Sequence, residues 1–530
     1  MDFTNNKNDF ENTFTFESSS PPKQPAPPSP VEAHKAKYKR NSLPRNAEEA
    51  RQRRIELDAQ ARRKHRDQLI TTKRFKHNLE EYKDDDSEPE YNLSQKDIEK
   101  LKSGLNNVNR DARLSSLQDL SKYLVDPSDI LRQFVIEGDC IEILIKFLSS
   151  IDPAEQLQAT WCITSMSIIT FNILILNFTM NTLFILKFYT VSLNEDIAAG
   201  PKEFVQKASL AIPYLIPFLE RENIPLQDQA AWAIGNIAIE SSECRELLRK
   251  NGVLVPLINL LDSKDVNLIQ TACFALSNLA RGPNAKLHEF FTAGINNRLI
   301  QHLETDESFE VVSEVSWVLT YITSDDDNKY TDQLLNEGIA PLLVKHMRPL
   351  LNHGPLSLPL VRTFGNIASG PDTNTDHLIR QPDFLPSMIQ YIQSDCRPVK
   401  KESLWVMSNI TATRRPEVLV KVFNAGFIPI LSNIATHTNF DIRKEAAYSL
   451  VNIASHGLEF MKSLPHQELL PGFLEFIRTS SGENVKGIDA IETAILTEDE
   501  SLRNAASRLM DKYFGEEFSE QMQVQIEETT

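Results

Sequence analysis

Glycine and cysteine are both scarce in this chain of 530 residues, which contains 17 Gly and five Cys. Because Gly is rare and helix-forming residues dominate after residue 92, the composition argues against a sheet protein and predicts an all-helical body. The Cys residues are scattered, with no CxxC pair, so the sequence indicates neither a disulfide framework nor a thiolate metal site. Four of them fall in apolar helical patterns, and we expect them to be reduced core thiols.

Sequence motifs for catalysis, metal binding and secretion are also missing. The His residues are dispersed, and neither a GxSxG sequence nor a P-loop occurs. The first 30 residues are polar, acidic and Pro-rich, which is unlike a signal peptide. We therefore expect a protein that is not an enzyme, that uses no metal or cofactor, and that works in the cytosol or nucleus.

Charge is distributed unevenly along the chain. The net charge is −17, but residues 35–76 hold fifteen Lys/Arg against five Asp/Glu, a balance of +10 that leaves −27 elsewhere. The sequence predicts a disordered Ser/Pro-rich segment (1–34), a largely helical basic arm (35–77) and an acidic linker (78–92). The arm has too few large apolar residues to bury a core, so it should order on a partner, while the acidic body should attract basic ligands.

From about residue 93 the sequence is periodic. Segments such as QDQAAWAIGNIA, IQTACFALSNLA and KESLWVMSNITA align on seven reference positions that are 42 to 45 residues apart after the first gap of 71. The reference positions are Trp161, Trp232, Phe274, Trp317, Arg362, Trp405 and Tyr448. A Gly turn and a second apolar helix follow each segment, and this period is typical of armadillo or HEAT repeats. We predict an all-α, right-handed armadillo superhelical solenoid over residues 93–515, capped by atypical repeats from residue 457 and followed by a disordered tail at 516–530.

The first gap contains 29 surplus residues, Ile169–Ile197, which are strongly apolar. Removing them joins two ordinary stretches of repeat. Hydropathy alone favours a membrane-spanning helix, but the segment is rich in β-branched residues and Asn and interrupts a soluble repeat. Three interpretations stay open: a translated non-coding segment, a disordered or strand-like insert, and a membrane element.

Each reference residue is followed four positions later by a polar residue, which in five of the seven segments is Asn. Residues four apart share one helix face, so the stacked helices should present a file of aromatic walls and amides. Asn offers a donor and an acceptor to an extended peptide, and indole faces attract the Lys or Arg cation. Acids near the file strengthen the hypothesis of a groove for a Lys/Arg-rich peptide; they are Glu240, Glu314, Asp325, Asp372, Glu402 and Glu445. The alternative is structural: the Trp residues form the core, and the Asn residues cap helices or bond a loop between repeats.

The segments WAIGNIA, FALSNLARG, WVLTYIT, RTFGNIASG and WVMSNITA, in this order, resemble those of the importin-α (karyopherin-α) family over residues 35 to about 515. The resemblance implies a nuclear import adaptor that shuttles between cytoplasm and nucleus. It implies a major peptide site at Trp161, Gln229, Trp232, Asn236, Glu240, Phe274 and Asn278. It implies a minor site at Glu314, Trp317, Tyr321, Arg362, Asn366, Asp372, Glu402, Trp405, Asn409, Glu445, Tyr448 and Asn452.

The basic arm resembles the family's importin-β-binding domain. The resemblance implies importin-β contacts at Arg51, Arg53, Arg54, Arg62, Arg63, Lys64 and Arg66, and an autoinhibitory segment at Lys73, Arg74 and Lys76 that occupies the groove when importin-β is absent. The C-terminal repeats would contact the exportin that recycles the adaptor. This chain departs from the family pattern in having Ser165 where the first Asn is expected, and Phe274 and Tyr448 where the family has Trp.

Two other classes of protein remain as alternatives. A catenin-like armadillo scaffold binds acidic or phosphorylated peptides, and its groove should be lined by Lys and Arg rather than Glu and Asp. A nucleic-acid-binding arm needs only contacts to phosphate, whereas Ile55, Leu57 and Leu69 are spaced through this one.

Overall fold

The computed structural model describes residues 93–454, apart from 125–126, 169–198, 283–284, 306–307, 326–327 and 436–438, together with residues 456 and 462. The predictions for the N-terminal segment, basic arm and linker, for the surplus segment and for the C-terminal cap and tail lie outside these residues.

Over the described ranges the backbone forms α-helices, with short 3₁₀ turns at Ser209–Ala211, Ile216–Glu220, Leu260–Asp262 and Gly354–Ser357, and no strand. The α-helices are α1 (Gln95–Leu105), α2 (Arg110–Tyr123), α3 (Asp129–Ile136), α4 (Cys140–Leu148), α5 (Pro153–Ile168), α6 (Ala199–Ala208), α7 (Ile212–Leu215), α8 (Ile224–Glu240), α9 (Ser242–Lys250), α10 (Leu254–Asn259), α11 (Val266–Leu279), α12 (Leu287–Thr292), α13 (Ile295–Glu304), α14 (Phe309–Ile322), α15 (Lys329–Asn336), α16 (Ile339–Lys345), α17 (Met347–Leu350), α18 (Leu358–Ser369), α19 (Asp372–Ile379), α20 (Phe384–Ile392), α21 (Arg397–Thr411), α22 (Pro416–Asn424), α23 (Phe427–Ala435) and α24 (Phe440–Ala454).

One long helix in each repeat carries the reference position, and we call this set the ladder helices: α2, α5, α8, α11, α14, α18, α21 and α24. Each packs against the next in chain order. The first of them, α2, has no aromatic reference residue, which is why alignment on Trp did not reveal it. The repeat architecture predicted from the 43-residue period is confirmed, because every repeat buries one face of its long helix against its neighbours.

Local sequence signals fix where several ladder helices begin. The side chains of Asn109, Asn223, Asp265 and Ser308 each precede a ladder helix and accept a hydrogen bond from a backbone N–H of its first turn. These caps satisfy N–H groups that have no partner within the helix. The four capped ladder helices therefore begin at the same phase of the repeat.

Glycine marks the turn between the two shorter helices of a repeat. Gly338 and Gly426 have φ angles of +88° and +86°, a left-handed conformation that residues with a Cβ rarely adopt. They precede α16 and α23, the second apolar helices that the sequence pattern predicts. Gly252 and Gly294 have the same conformation at the equivalent points of two other repeats.

The shorter helices also bond from one repeat to the next. His302 Nε2 lies 2.9 Å from the Leu261 carbonyl oxygen, and His346 Nε2 lies 2.8 Å from that of Leu303. The Tyr391 hydroxyl donates to the Met347 carbonyl at 2.6 Å. In each case a buried polar side chain satisfies a carbonyl near the end of the corresponding helix one repeat earlier, which holds the repeats in register.

The repeats on either side of the surplus segment pack as direct neighbours. Helix α5 ends at Ile168, directly before the predicted insert. Helix α6 begins at Ala199, two positions after the last residue of the insert, Ile197. Helix α5 contacts both α6 and α8. The repeat is therefore continuous across the gap, as the deletion argument from sequence predicted.

The five cysteines are free thiols. Cys140, Cys162 and Cys273 are buried, whereas Cys244 and Cys396 are half-buried. Burial raises the pKa of Cys140 to about 12, so this thiol is not reactive at neutral pH. Within the part of the chain that the structure describes, no helix is long and apolar enough to cross a membrane.

Candidate peptide-binding site

The structure arranges the seven reference residues on consecutive ladder helices, in the order that the sequence predicts. The rings of Trp161 and Trp232 lie edge to face, with their centroids 5.8 Å apart and their planes at 71°. Trp317 and Tyr321, four residues apart on α14, have ring centroids 6.4 Å apart. We call the side of the ladder helices that carries these residues the ladder face.

The aromatic residues of the ladder differ in exposure. Trp161, Trp232 and Tyr448 are half-buried, so part of each ring remains available to a ligand. Phe274 is only 1% exposed, and Trp317 and Trp405 are also buried. The structural alternative, in which a ladder aromatic is core, therefore describes Phe274 best and Trp161 and Trp232 least.

Two mid-helix glycines explain why the recessed rings lie so close to the preceding helix. A Cβ at Gly235 would lie 2.6 Å from Cε1 of Phe274, and one at Gly365 would lie 1.8 Å from Cζ3 of Trp405. Each ring thus packs where a side chain would otherwise project. Glycine is unfavourable inside a helix, so its presence here reflects this contact.

Four of the five recurring Asn residues connect adjacent ladder helices. Asn278 Nδ2 donates to the Gly235 carbonyl at 3.3 Å, Asn366 Nδ2 to that of Thr320 at 2.8 Å, Asn409 Nδ2 to that of Gly365 at 3.0 Å, and Asn452 Nδ2 to that of Ser408 at 2.7 Å. In each case the acceptor is the residue just before the polar position of the preceding repeat, the one four residues after the reference residue. One amide N–H of each of these four Asn residues is therefore used between repeats, and its acceptor is a carbonyl of a helix rather than of the loop that the structural alternative named. Asn236 is the exception, because its Nδ2 has no hydrogen-bond partner among the described residues.

Sequence reasoning missed these acceptor positions. They are filled by small residues (Gly235, Thr320, Gly365 and Ser408). A small residue three positions after six of the seven reference residues is the signal that could have revealed them. A bulky side chain at this phase would separate the helices and lengthen the hydrogen bond from the next Asn.

A group of polar atoms on α8 and α11 has no hydrogen-bond partner among the described residues. It consists of the Trp232 Nε1 donor, the Asn236 Nδ2 donor and the Asn278 Oδ1 acceptor, each shielded from solvent. Buried polar atoms are normally paired, because an unpaired one costs about 1–3 kcal/mol. Two unpaired donors and an unpaired acceptor near half-buried indoles are groups that the C=O and N–H of an extended peptide could satisfy.

Three of the acids predicted for the site are shielded from solvent. Glu314, Glu402 and Glu445 are buried. Glu402 Oε1 lies 3.2 Å from Nη2 of Arg362, which is itself buried, so this ion pair connects α18 to α21. Glu402 therefore neutralises an internal Arg.

Two other predicted site residues form contacts between repeats. Gln229 is buried, and its Nε2 donates to Thr164 Oγ1 at 2.5 Å. Asp372 is half-buried at the start of α19, and its Oδ2 accepts from the Arg414 backbone N–H at 3.3 Å. Glu240 is half-buried at the last position of α8. Ser165, at the phase of the missing first Asn, is buried.

Repeated three-helix units, stacked ladder helices and bonds between repeats define an armadillo-repeat protein. The armadillo/beta-catenin-like repeat model matches residues 241–281. A solved engineered protein superimposes with a TM-score of 0.52 and 21% identity, covering 78% of this chain and 98% of that one. This last likeness concerns the fold alone.

Among armadillo-repeat proteins, the sequence comparisons find importin alpha subunits. Importin subunit alpha-9 of Arabidopsis thaliana is 29% identical, covering 80% of this chain and 84% of its own. Importin subunit alpha-2 of Oryza sativa subsp. japonica is 28% identical, covering 79% and 82%. The chain is similar to importin alpha subunits over most of its length, and the resemblance indicated by the ladder motifs is confirmed.

Proposed function

We propose that this chain is a nuclear import adaptor that binds an extended Lys/Arg-rich peptide, a nuclear localisation signal, along the ladder face. The observation that carries the proposal is the group of unpaired polar atoms at Trp232, Asn236 and Asn278. It lies next to two half-buried indoles, whose faces attract cations and whose edges pack against the methylene stem of Lys or Arg. The kinship with importin alpha subunits supports the same function.

The proposal extends to the partners of the adaptor. Residues 35–77 would bind importin-β through the arginines of the arm, and Lys73, Arg74 and Lys76 would occupy the ladder face when importin-β is absent. The C-terminal repeats would bind the recycling exportin, and the protein would shuttle between cytoplasm and nucleus. The arm's balance of +10 against the acidic remainder of the chain supports the contact between arm and body.

The ladder face can be tested by calorimetric titration of the full chain with a Lys/Arg octapeptide. Trp232→Ala combined with Asn236→Ala should weaken binding by about 2–4 kcal/mol, because it removes an aromatic anchor and a backbone hydrogen bond. Val255→Ala, an exposed apolar residue on the short helix α10, serves as the matched control and should leave the affinity unchanged.

A second peptide distinguishes the adaptor from a scaffold of the catenin type. The octapeptide with Glu in place of every Lys and Arg should not bind. Tighter binding of this acidic peptide, or equal affinity of the double variant and the wild type for the basic peptide, would overturn the proposal.

A further inference from the structure

A row of exposed apolar side chains lies where four consecutive ladder helices begin. Among the described residues nine large apolar side chains are exposed, and four of them occupy this place. Val108 precedes the cap of α2, Ile151 lies two residues before α5, and Ile224 and Val266 are the first residues of α8 and α11. Their exposed fractions are 97%, 98%, 47% and 41%. We call these four residues the apolar edge. Exposed apolar residues that occur singly need no explanation, whereas a row of them indicates a binding surface.

Hydrogen bonds hold the starts of these helices together. The Val108 carbonyl accepts from Arg113 Nη1 at 2.8 Å, and Nε of the same Arg donates to Glu155 Oε1 on α5 at 2.8 Å. Arg221, three residues before the start of α8, donates to Gln156 Oε1 on α5 at 2.9 Å. Helices α8 and α11 pack against each other and begin at the same phase of the repeat. The apolar edge is therefore one continuous row along the first four ladder helices.

The charged side chains beside the start of this row are paired with one another. Arg110 Nη2 donates to Asp152 Oδ1 at 3.1 Å, and its Nη1 lies 3.7 Å from Asp111 Oδ1. The start of the next ladder helix, α14, differs, because Phe309 is half-buried and its ring packs against that of His353 with centroids 4.0 Å apart. The fold thus covers the apolar residue at α14 and leaves the apolar edge in water, where contact with an apolar ligand group is favourable.

The apolar edge lies beside the candidate peptide site. Ile224 and Val266 precede Trp232 and Phe274 by eight residues on α8 and α11, which corresponds to about 12 Å along the helix axis. The group of unpaired polar atoms belongs to the same two helices. An extended peptide advances about 3.3 Å per residue, so about four residues connect the two places. One ligand can therefore contact both.

We propose that the apolar edge binds an apolar side chain of the peptide ligand, about four residues beyond its Lys/Arg cluster. The proposal rests on the proposed function and deepens it, because it adds a second feature to the ligand. The preferred ligand is then a basic segment with an aliphatic or aromatic residue in its flank. Binding at both places removes exposed apolar surface from water in addition to the contacts of the cations.

Calorimetric titration of the full chain with extended peptides tests this inference. The Lys/Arg octapeptide is joined through about three Gly/Ser residues to Leu-Leu, at its N-terminal end in one peptide and at its C-terminal end in another. Matched peptides carry Ser-Ser in place of Leu-Leu. One Leu-Leu peptide should bind about three- to tenfold tighter than its Ser-Ser counterpart, because its apolar side chains leave water. The gain should persist as ionic strength rises from about 0.05 to 0.5 M, since it does not depend on charge.

A double variant locates the contact. With Ile224→Ser and Val266→Ser in the full chain, the Leu-Leu and Ser-Ser peptides should bind equally. The matched control is Val255→Ser with Val420→Ser, because these side chains have similar exposed fractions of 53% and 50% but lie on the short helices α10 and α22. The control should keep the full gain. Thermal melting monitored by circular dichroism confirms that each variant is folded.

Each outcome decides a different point. Equal binding of the Leu-Leu and Ser-Ser peptides by the wild-type chain overturns the inference, and so does a gain that the Ile224→Ser/Val266→Ser variant retains. In either case, binding of the octapeptide by the wild-type chain leaves the proposed function standing. If the octapeptide does not bind, the proposed function fails, and the inference fails with it.

Sedimentation velocity examines the other possible occupant, a second copy of this chain. The wild-type chain should sediment as the same species as the Ile224→Ser/Val266→Ser variant. A dimer that forms in the wild-type chain and is absent in the variant would assign the apolar edge to contacts between copies and overturn its assignment to the ligand.

Discussion

At the scale of single residues, the ladder positions serve two purposes that conflict. An Asn that donates to the preceding helix holds the repeats together, and the same amide has to be available to a peptide. Asn278 shows how both are met, because its Nδ2 bonds to Gly235 while its Oδ1 has no partner among the described residues. Replacing a ladder Asn should therefore reduce both stability and binding, so the two quantities need separate measurement.

The contact between Gly365 and Trp405 gives a prediction for stability. Gly365→Ala should destabilise the fold by about 1–3 kcal/mol in urea unfolding, although Ala is the better helix former by about 1 kcal/mol, because the new methyl group overlaps the indole. The double variant with Trp405→Ala provides the control. In the Trp405→Ala background the cost of Gly365→Ala should disappear, and a cost that persists there would mean that the ring is not the cause.

Sequence analysis identified the ladder residues but not how their polar atoms are used. The phase of the Trp and Asn residues followed from spacing alone, since spacing determines which residues share a helix face. The ion pair between Arg362 and Glu402 could not be predicted, because it depends on how α18 and α21 approach one another across a repeat boundary. The burial of Phe274 could not be predicted for the same reason, since its ring occupies the space that a side chain at Gly235 would fill.

At the scale of helices, the repeat tolerates 29 surplus residues because they fall between two complete elements. Helix α5 is intact up to Ile168, and α6 packs against it from Ala199 onward. The helix boundaries in this region could be predicted from sequence, since the period of the flanking repeats shows how many residues are extra.

We predict that deleting residues 169–197 leaves the fold unchanged. The contacts of α5 with α6 and α8 do not involve the deleted residues, and shortening a long connection lowers its closure entropy by only about 1 kcal/mol or less. Thermal melting should therefore show a midpoint equal to or slightly above that of the full chain. A large drop in the midpoint would mean that the segment contributes to the core.

A mass measurement shows whether residues 169–197 are part of the native protein. Intact-mass spectrometry of protein isolated from its source should give a mass that lacks these residues if they are a translated non-coding segment. A mass that includes them would overturn this interpretation and leave the insert and membrane interpretations.

At the scale of the whole molecule, the main feature is the uneven distribution of charge between the basic arm and the acidic remainder of the chain. The packing of the repeats does not account for it. The repeats stack through apolar contacts, hydrogen bonds and ion pairs such as that of Arg362 with Glu402, and none of these requires a large excess of negative charge. The acidic excess is therefore available for attraction of basic segments, whether these belong to a ligand or to the arm of the same chain.

If the arm competes for the ladder face, removing residues 1–77 should raise the affinity for the Lys/Arg octapeptide. The arm is tethered close to the ladder, so its effective concentration is in the millimolar range and even weak binding occupies the face. Fluorescence titration of the Trp residues in the full and truncated chains measures the difference in affinity.

A full chain with Lys73, Arg74 and Lys76 changed to Ala is the matched control, and it should bind like the truncated chain if these residues act as the competing segment. Equal affinity of the full and truncated chains would exclude autoinhibition, whereas a gain on truncation that the triple variant does not reproduce would place the competing contact elsewhere in the arm.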